Sequence, residues 1–127
     1  MNKLFVLDSS AVLAVINSEK GNENVEPKFP EAIVSTVNVA EVMGKLAERG
    51  VDLYSALNYF MNVGLEVVDF DASQALECGK LRPLTKHLGL SLGDRACLSL
   101  AIANNATAVT ADRVWAKLDL CAIEIIR

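Results

Sequence analysis

Apolar positions along this chain alternate between short continuous runs and longer stretches with helical spacing. KLFVL (Lys3–Leu7), AIVS (Ala32–Ser35), LEVVDF (Leu65–Phe70), TAVT (Thr107–Thr110) and Cys121–Ile126 are brief, mostly rich in β-branched residues, and read as buried strands. Ser9–Ile16 reads as a helix. Val39, Met43, Leu46 and Ala47 stand at i, i+4, i+7 and i+8 and predict a helix ending near Gly50. Leu53, Ala56, Leu57, Phe60 and Met61 repeat that pattern. Asp71 caps a further helix, which Pro83 must kink or end. Ser91 opens another that runs through Asn104, and a short helical turn follows Asp112. Asn17–Pro30 is polar, carries Gly21, Pro27 and Pro30, and reads as a loop around at most a short helix. Strands alternating with helices imply an α/β fold, with a parallel sheet and right-handed crossovers.

At 127 residues the chain fits one domain, residues 1–127. Such a domain buries about two-thirds of its unfolded surface, enough to need no covalent staple. No apolar run approaches the ~20 residues that span a bilayer. The opening MNKLFVLD lacks the apolar core and cleavage site of a signal peptide. Cys78, Cys97 and Cys121 are odd in number and widely spaced, which predicts buried free thiols in a reducing cytoplasm.

Four carboxylates change the picture. Asp8 follows the first strand, Glu41 lies in the helix after the second, Asp94 opens the helix at Ser91, and Asp112 follows the fourth strand. In an open parallel sheet, strand ends and the following helix starts share one edge, where ligands bind. Each acid taken alone has a plainer explanation. Asp8 and Asp112 suit helix N-caps, Asp94 stands three residues after Ser91, and Glu41 stands three after Asn38, both capping-box spacings. Taken together they crowd one spot, although other cap residues, Ser9, Thr36 and Ser91, were adjacent. Two carboxylates ~4 Å apart repel by about 4 kcal/mol at an effective dielectric of about 20. Such a group takes up protons or binds a cation. All-oxygen ligation suits Mg²⁺ or Mn²⁺, whereas zinc prefers His or Cys, and His87 is the only histidine. One or two such ions acidify a bound water and stabilise charge on a phosphodiester. Ser9 and Thr110 flank two of the acids and are candidates to orient water or substrate.

The net charge of −4 argues against nucleic acid as a partner of the whole surface. Locally the balance reverses: Lys80, Arg82, Lys86 and Arg95 face a single acid, Asp94, between positions 80 and 95, and Arg113 adjoins Asp112. These five are the candidate phosphate contacts, with an internal partner as the alternative for Arg95. His87 reads as an exposed residue near a helix end, Trp115 as packing, and Tyr54 and Tyr59 as surface or interface residues.

With these residues in place, the chain resembles PIN-domain ribonucleases, specifically the VapC-type toxins of bacterial and archaeal toxin–antitoxin pairs. The similarity runs nearly end to end, through LDSSAVLA, VNVAEV, LRPLTKHLGLSLGDRACLSLA and TADRVWAKL, with Ser91–Cys97 its most specific stretch. The resemblance implies a single PIN-like domain with a five-stranded parallel sheet, and a metal site of Asp8, Glu41, Asp94 and Asp112. It also implies cleavage of RNA as an endoribonuclease, a homodimer, and inhibition by a small antitoxin. The prolines in Asn17–Pro30 interrupt what is often a longer helix in that family.

Three other functions remain as alternatives. A response-regulator receiver needs paired acids after its first strand and a late-strand Lys, but Asp8 stands alone and Thr110 leads to Ala111 and Asp112. A haloacid-type phosphatase needs a second Asp where Ser10 stands. A catalytically silent module that binds RNA or a regulator is opposed by the retention of all four acids.

Overall fold

Strands β1 (Phe5–Leu7), β2 (Ala32–Ser35), β3 (Glu66–Val68), β4 (Thr107–Thr110) and β5 (Ile123–Ile125) pair in parallel throughout, in the order β3-β2-β1-β4-β5. The computed structural model describes residues 3–127; Met1 and Asn2, part of the single-domain expectation, lie outside the described residues. The connecting helices are α1 (Ser9–Ile16), α2 (Thr36–Glu48), α3 (Leu53–Asn62), α4 (Ala72–Lys80), α5 (Arg82–Thr85) and α6 (Leu92–Ala103). The α/β architecture with a five-stranded parallel sheet is therefore as expected. Among the described residues no helix is long and apolar enough to cross a membrane.

Successive strand residues point to opposite faces of the sheet, so one short run feeds two cores. Leu7, Val34 and Val109 face α1, α2 and Phe60 of α3. Val6, Ile33 and Ala108 face α6 and Trp115. Burial on both faces explains why these strands lack a polar alternation.

Several boundaries move inward. The first strand begins at Phe5, the third spans Glu66–Val68 and the last Ile123–Ile125, because ladder pairing ends there. The polar stretch after α1 forms two 3₁₀ segments, Asn22–Asn24 and Glu26–Glu31, the second holding Pro27 and Pro30. Gly21 before them has φ +95°, and its α-carbon packs on the Ile126 backbone, leaving no room for a side chain. The chain helix of Asp71 ends at Lys80, and Pro83 sits in the first turn of α5, where its missing N–H costs nothing. The turn after Asp112 is 3₁₀, Arg113–Lys117.

The buried stripe of α2 is out of phase with the expected one. Asn38, Val42 and Leu46 are buried, Val39 and Met43 flank them, and Ala47 is exposed. Ser35, not Asn38, caps this helix, accepting from the Val37 N–H. Trp115 is wholly buried and His87 is exposed within the 3₁₀ segment Lys86–Leu88. Cys78 and Cys97 are buried free thiols, while Cys121 is half-buried.

Candidate active site

The sheet order reverses direction at β1, whose neighbours are β2 and β4. The connection from β1 runs to β2 and that from β4 runs to β5 on the other side, which opens a crevice above the carboxyl ends of β1 and β4. Asp8 directly follows β1, and its backbone N–H continues the ladder to the Val109 carbonyl at 3.1 Å. Its carboxylate caps α1 through the Ala11 N–H at 2.9 Å and accepts from the Ser10 and Thr110 hydroxyls at 2.7 and 2.6 Å. Thr110 ends β4, and its Oγ1 accepts from the Asp112 N–H at 3.0 Å. Asp112 in turn caps the following 3₁₀ turn through Val114 N–H. The carboxyl ends of β1 and β4 are thus joined by one hydrogen-bonded chain.

Asp94 reaches the same edge from α6. It forms a complete capping box with Ser91, accepting from the Ser91 N–H at 2.9 Å while Ser91 Oγ accepts from the Asp94 N–H at 3.2 Å. Glu41, in the second turn of α2, hydrogen-bonds the Ser9 hydroxyl and accepts from the Asn38 amide at 3.1 Å. The plain capping explanation is therefore literally correct for Asp8, Asp94 and Asp112, and the three still converge. Glu41 caps nothing.

Electrostatics record that convergence. Asp8 is 4% exposed, and burial raises its pKa to about 6 against its hydrogen bonds, with Asp94 adding repulsion. Burial also raises Asp94, helped by the charges of Asp112 and Glu41. The Cys97 thiol beneath the site is pushed well up, chiefly by burial and next by Asp8, so it stays a neutral, unreactive thiol.

The donor chemistry fits a hard cation: every candidate ligand is a carboxylate oxygen, and Asp94, Asp112 and Glu41 each keep one oxygen outside these hydrogen bonds. Among the described residues, no three acidic, His or Cys side chains are gathered tightly enough to form a finished metal cage.

The predicted cations lie in three settings. Lys80 pairs with Glu77 at 3.0 Å on the exposed face of α4, and Arg82 and Lys86 are exposed nearby. Arg95 turns away from the acids: its guanidinium donates to the Cys78 carbonyl at 3.3 Å, the internal alternative. Arg113 donates to the Arg127 carbonyl at 3.1 Å. Sequence reasoning missed Ser10, Asn38 and Gly93, all in the hydrogen-bonded or packed surround of the acids. Asn38 had a signal, a polar residue in phase with Val42 and Leu46, but only once the correct stripe is known.

The family profile of the PIN domain matches residues 5–120. The chain belongs to the PIN-domain family. No curated protein matches it. Among solved structures, this PIN domain is similar to VapBC2 from Rickettsia felis bound to a DNA fragment from their promoter, at 24% identity and TM-score 0.74, covering 98% of this chain and 99% of that one. It is also similar to DNA-bound VapBC from Salmonella typhimurium, at 19% identity and TM-score 0.74 over 98% and 99% of the two chains. A toxin–antitoxin complex from Klebsiella pneumoniae has TM-score 0.75 at 14% identity, over 96% and 97%. At these identities the likeness is one of fold.

Proposed function

We propose that this PIN domain is an Mg²⁺- or Mn²⁺-dependent endoribonuclease, the VapC-type toxin of a type II toxin–antitoxin pair, acting in the cytoplasm. The observation that carries this reading is the convergence of acids from four separate segments at the β1/β4 crevice: the buried Asp8 feels the charge of Asp94, and Asp94 feels those of Asp112 and Glu41. Carboxylates held together against repulsion serve a cation. Similarity to toxin–antitoxin complexes supports the toxin role and a small antitoxin partner.

Asp8, Glu41, Asp94 and Asp112 are the residues that would hold the ion. When bound, it would supply positive charge against the scissile phosphate and a more acidic water as nucleophile. The protein's own contribution is placement. Ser10 and Thr110 fix the Asp8 carboxylate, Ser91 fixes Asp94, and Ser9 orients Glu41. Lys80, Arg82 and Lys86 supply a cationic approach for the RNA backbone, with Arg113 beside Asp112.

Cleavage of RNA with Mg²⁺ and its loss in EDTA test the chemistry. Asp94→Asn is expected to keep the fold and reduce cleavage to background; undiminished Mg²⁺-dependent cleavage by that variant would refute the assignment. Lys80→Glu with Lys86→Glu is expected to weaken RNA binding and flatten its salt dependence, because fewer counterions are released.

A further inference from the structure

We propose that Asn38 is a positioning residue of the acidic site: its side-chain amide fixes the Glu41 carboxylate against the amino end of α6 and so sets the separation of Glu41 from Asp94. The inference rests on the reading of these acids as a cation site.

Asn38 is 1% exposed, in the first turn of α2. Its Nδ2 lies 3.1 Å from Glu41 Oε1, 3.1 Å from the Gly93 carbonyl and 3.2 Å from Ser9 Oγ. The Gly93 carbonyl and an ionised Glu41 only accept hydrogen bonds, so the NH₂ side of the amide must face them. That orientation leaves Asn38 Oδ1 buried without a donor among the described residues. A buried acceptor without a partner is a cost that an apolar residue here would avoid. The stripe Asn38–Val42–Leu46 otherwise asks for an apolar side chain, so packing does not account for this one. Its NH₂ group does: it ties α2 to α6, 55 residues apart, at the residue before Asp94.

Gly93 is the second half of the device. A Cβ built there would overlap the Glu41 carboxylate, which therefore lies directly on the first turn of α6. The Ser9 hydroxyl holds the same Oε1 from the α1 side. Glu41 is on an exposed position of α2, yet three groups from three helices fix its head. Removing a group that holds a ligand in place typically costs about ten- to a hundred-fold in metal affinity.

The test is Mn²⁺ binding by the full chain, followed by electron paramagnetic resonance of the free ion. The emission of Trp115, the only tryptophan, reports the native fold. Asn38→Leu keeps the approximate size and removes the donor without adding charge; it is expected to weaken Mn²⁺ binding by about ten- to a hundred-fold. Gly93→Ala, which leaves Asn38 intact, is expected to weaken binding in the same direction by displacing Glu41. In a Glu41→Gln background, adding Asn38→Ala is expected to change affinity by less than about two-fold, because the residue acts through Glu41. A purely structural Asn38 would instead add its full effect. In RNA cleavage, Asn38→Ala is expected to lower kcat with KM little changed. Natively folded Asn38 variants with unchanged Mn²⁺ affinity, or full additivity with Glu41→Gln, would overturn the inference and leave the cation reading standing. If Asn38→Leu does not fold, unchanged affinity in Gly93→Ala overturns it equally. Absence of Mn²⁺ binding by the native chain would overturn both.

Discussion

Helices α6 and α3 are close in length and opposite in setting. α6 buries Gly93 and every residue from Ala96 to Ala101, whereas α3 buries only Phe60. Apolar side chains on α3 turn outward instead: Tyr54 is 87% exposed, Met61 64% and Leu57 49%. A helix buried on all sides has no freedom to rotate or slide, and its first turn can hold a charged group in register. α6 delivers Asp94, and the carbonyl that Asn38 grips, at such a turn. α3 delivers nothing to the acids. Together with α1 and α2 it borders a groove of about 470 Å³, lined by Val15, Ile16, Leu46, Ala56 and Tyr59, that holds none of the four carboxylates. The side with the acids draws all four from one chain, and the side of α3 carries exposed apolar surface of the kind that marks an interface.

The largest test of this contrast is truncation on each helix. Leu98 of α6 is fully buried, and Leu98→Ala is expected to cost about 2–5 kcal/mol through lost transfer energy and the cavity left behind. Leu57→Ala on α3 is expected to stay within about 0.5 kcal/mol in the monomer. Urea denaturation of both variants at low concentration measures the difference, and equal losses would erase the distinction between the two sides.

A second test uses the acids' own cost. Asp8 has a folded pKa of about 6 against an ordinary value of 3.8. Above about 6 it is ionised in both states and destabilises the fold. As pH falls through 6 the folded protein takes up the proton first, and below the ordinary value both states are neutral. Its penalty is therefore present at neutral pH and relieved between about 6 and 4, by something on the order of 3 kcal/mol. Asp8→Asn keeps an oxygen for the Ala11 cap and has no proton to lose. In EDTA, the stability gain of Asp8→Asn over the native chain is expected to be greatest at pH 7 and to vanish near pH 4. A gain independent of pH would mean that charge at Asp8 is not the cause.

Mg²⁺ should act on the same penalty from the other direction. An ion that binds only the folded chain stabilises it by about 2.7 kcal/mol at a hundred times its Kd. The melting temperature of the native chain is expected to rise with Mg²⁺ or Mn²⁺, and that of Asp94→Asn to rise less. The α3 variant Leu57→Ala should respond as the native chain does. A flat response in the native chain would reduce the four acids to separate caps.

The contrast also decides what was legible in the sequence. Strand order of appearance, helix spacing and the four acids could be read because each rests on local pattern: an apolar run, a cap, an acid at its end. The caps at Asp8, Asp94 and Asp112 were equally local and are present, so pattern alone could not tell whether the same acids also meet. Their meeting needs β1 to lie between β2 and β4. Asn38 was illegible because its partners Ser9 and Gly93 are distant in sequence, and because Val39 and Met43 suggested a stripe one residue out of phase. Arg95 was ambiguous for a like reason, since Cys78, the group it donates to, lies on another helix. The helix of Leu53–Met61 was legible, but of its apolar positions only Phe60 is buried, and no periodicity states whether an apolar face meets the chain's own core or a partner.

That last point yields the smallest expected effect on the isolated chain. If the outward face of α3 is contact surface, Leu57→Lys with Met61→Lys should leave monomer stability within about 0.5 kcal/mol, because Met61 stands largely in water and Leu57 about half. Assembly is what should change. Light scattering of the native chain at micromolar concentration is expected to give a homodimer, as the resemblance to VapC-type toxins implies. The double variant distinguishes two arrangements. A shift to monomer assigns the α3 face to the second copy of this chain. An unchanged dimer that no longer binds a cognate antitoxin assigns the face to the antitoxin and places the dimer contact elsewhere. Unchanged dimer and unchanged antitoxin binding would leave the exposed residues of α3 as ordinary surface, and the contrast with α6 would then be one of burial alone.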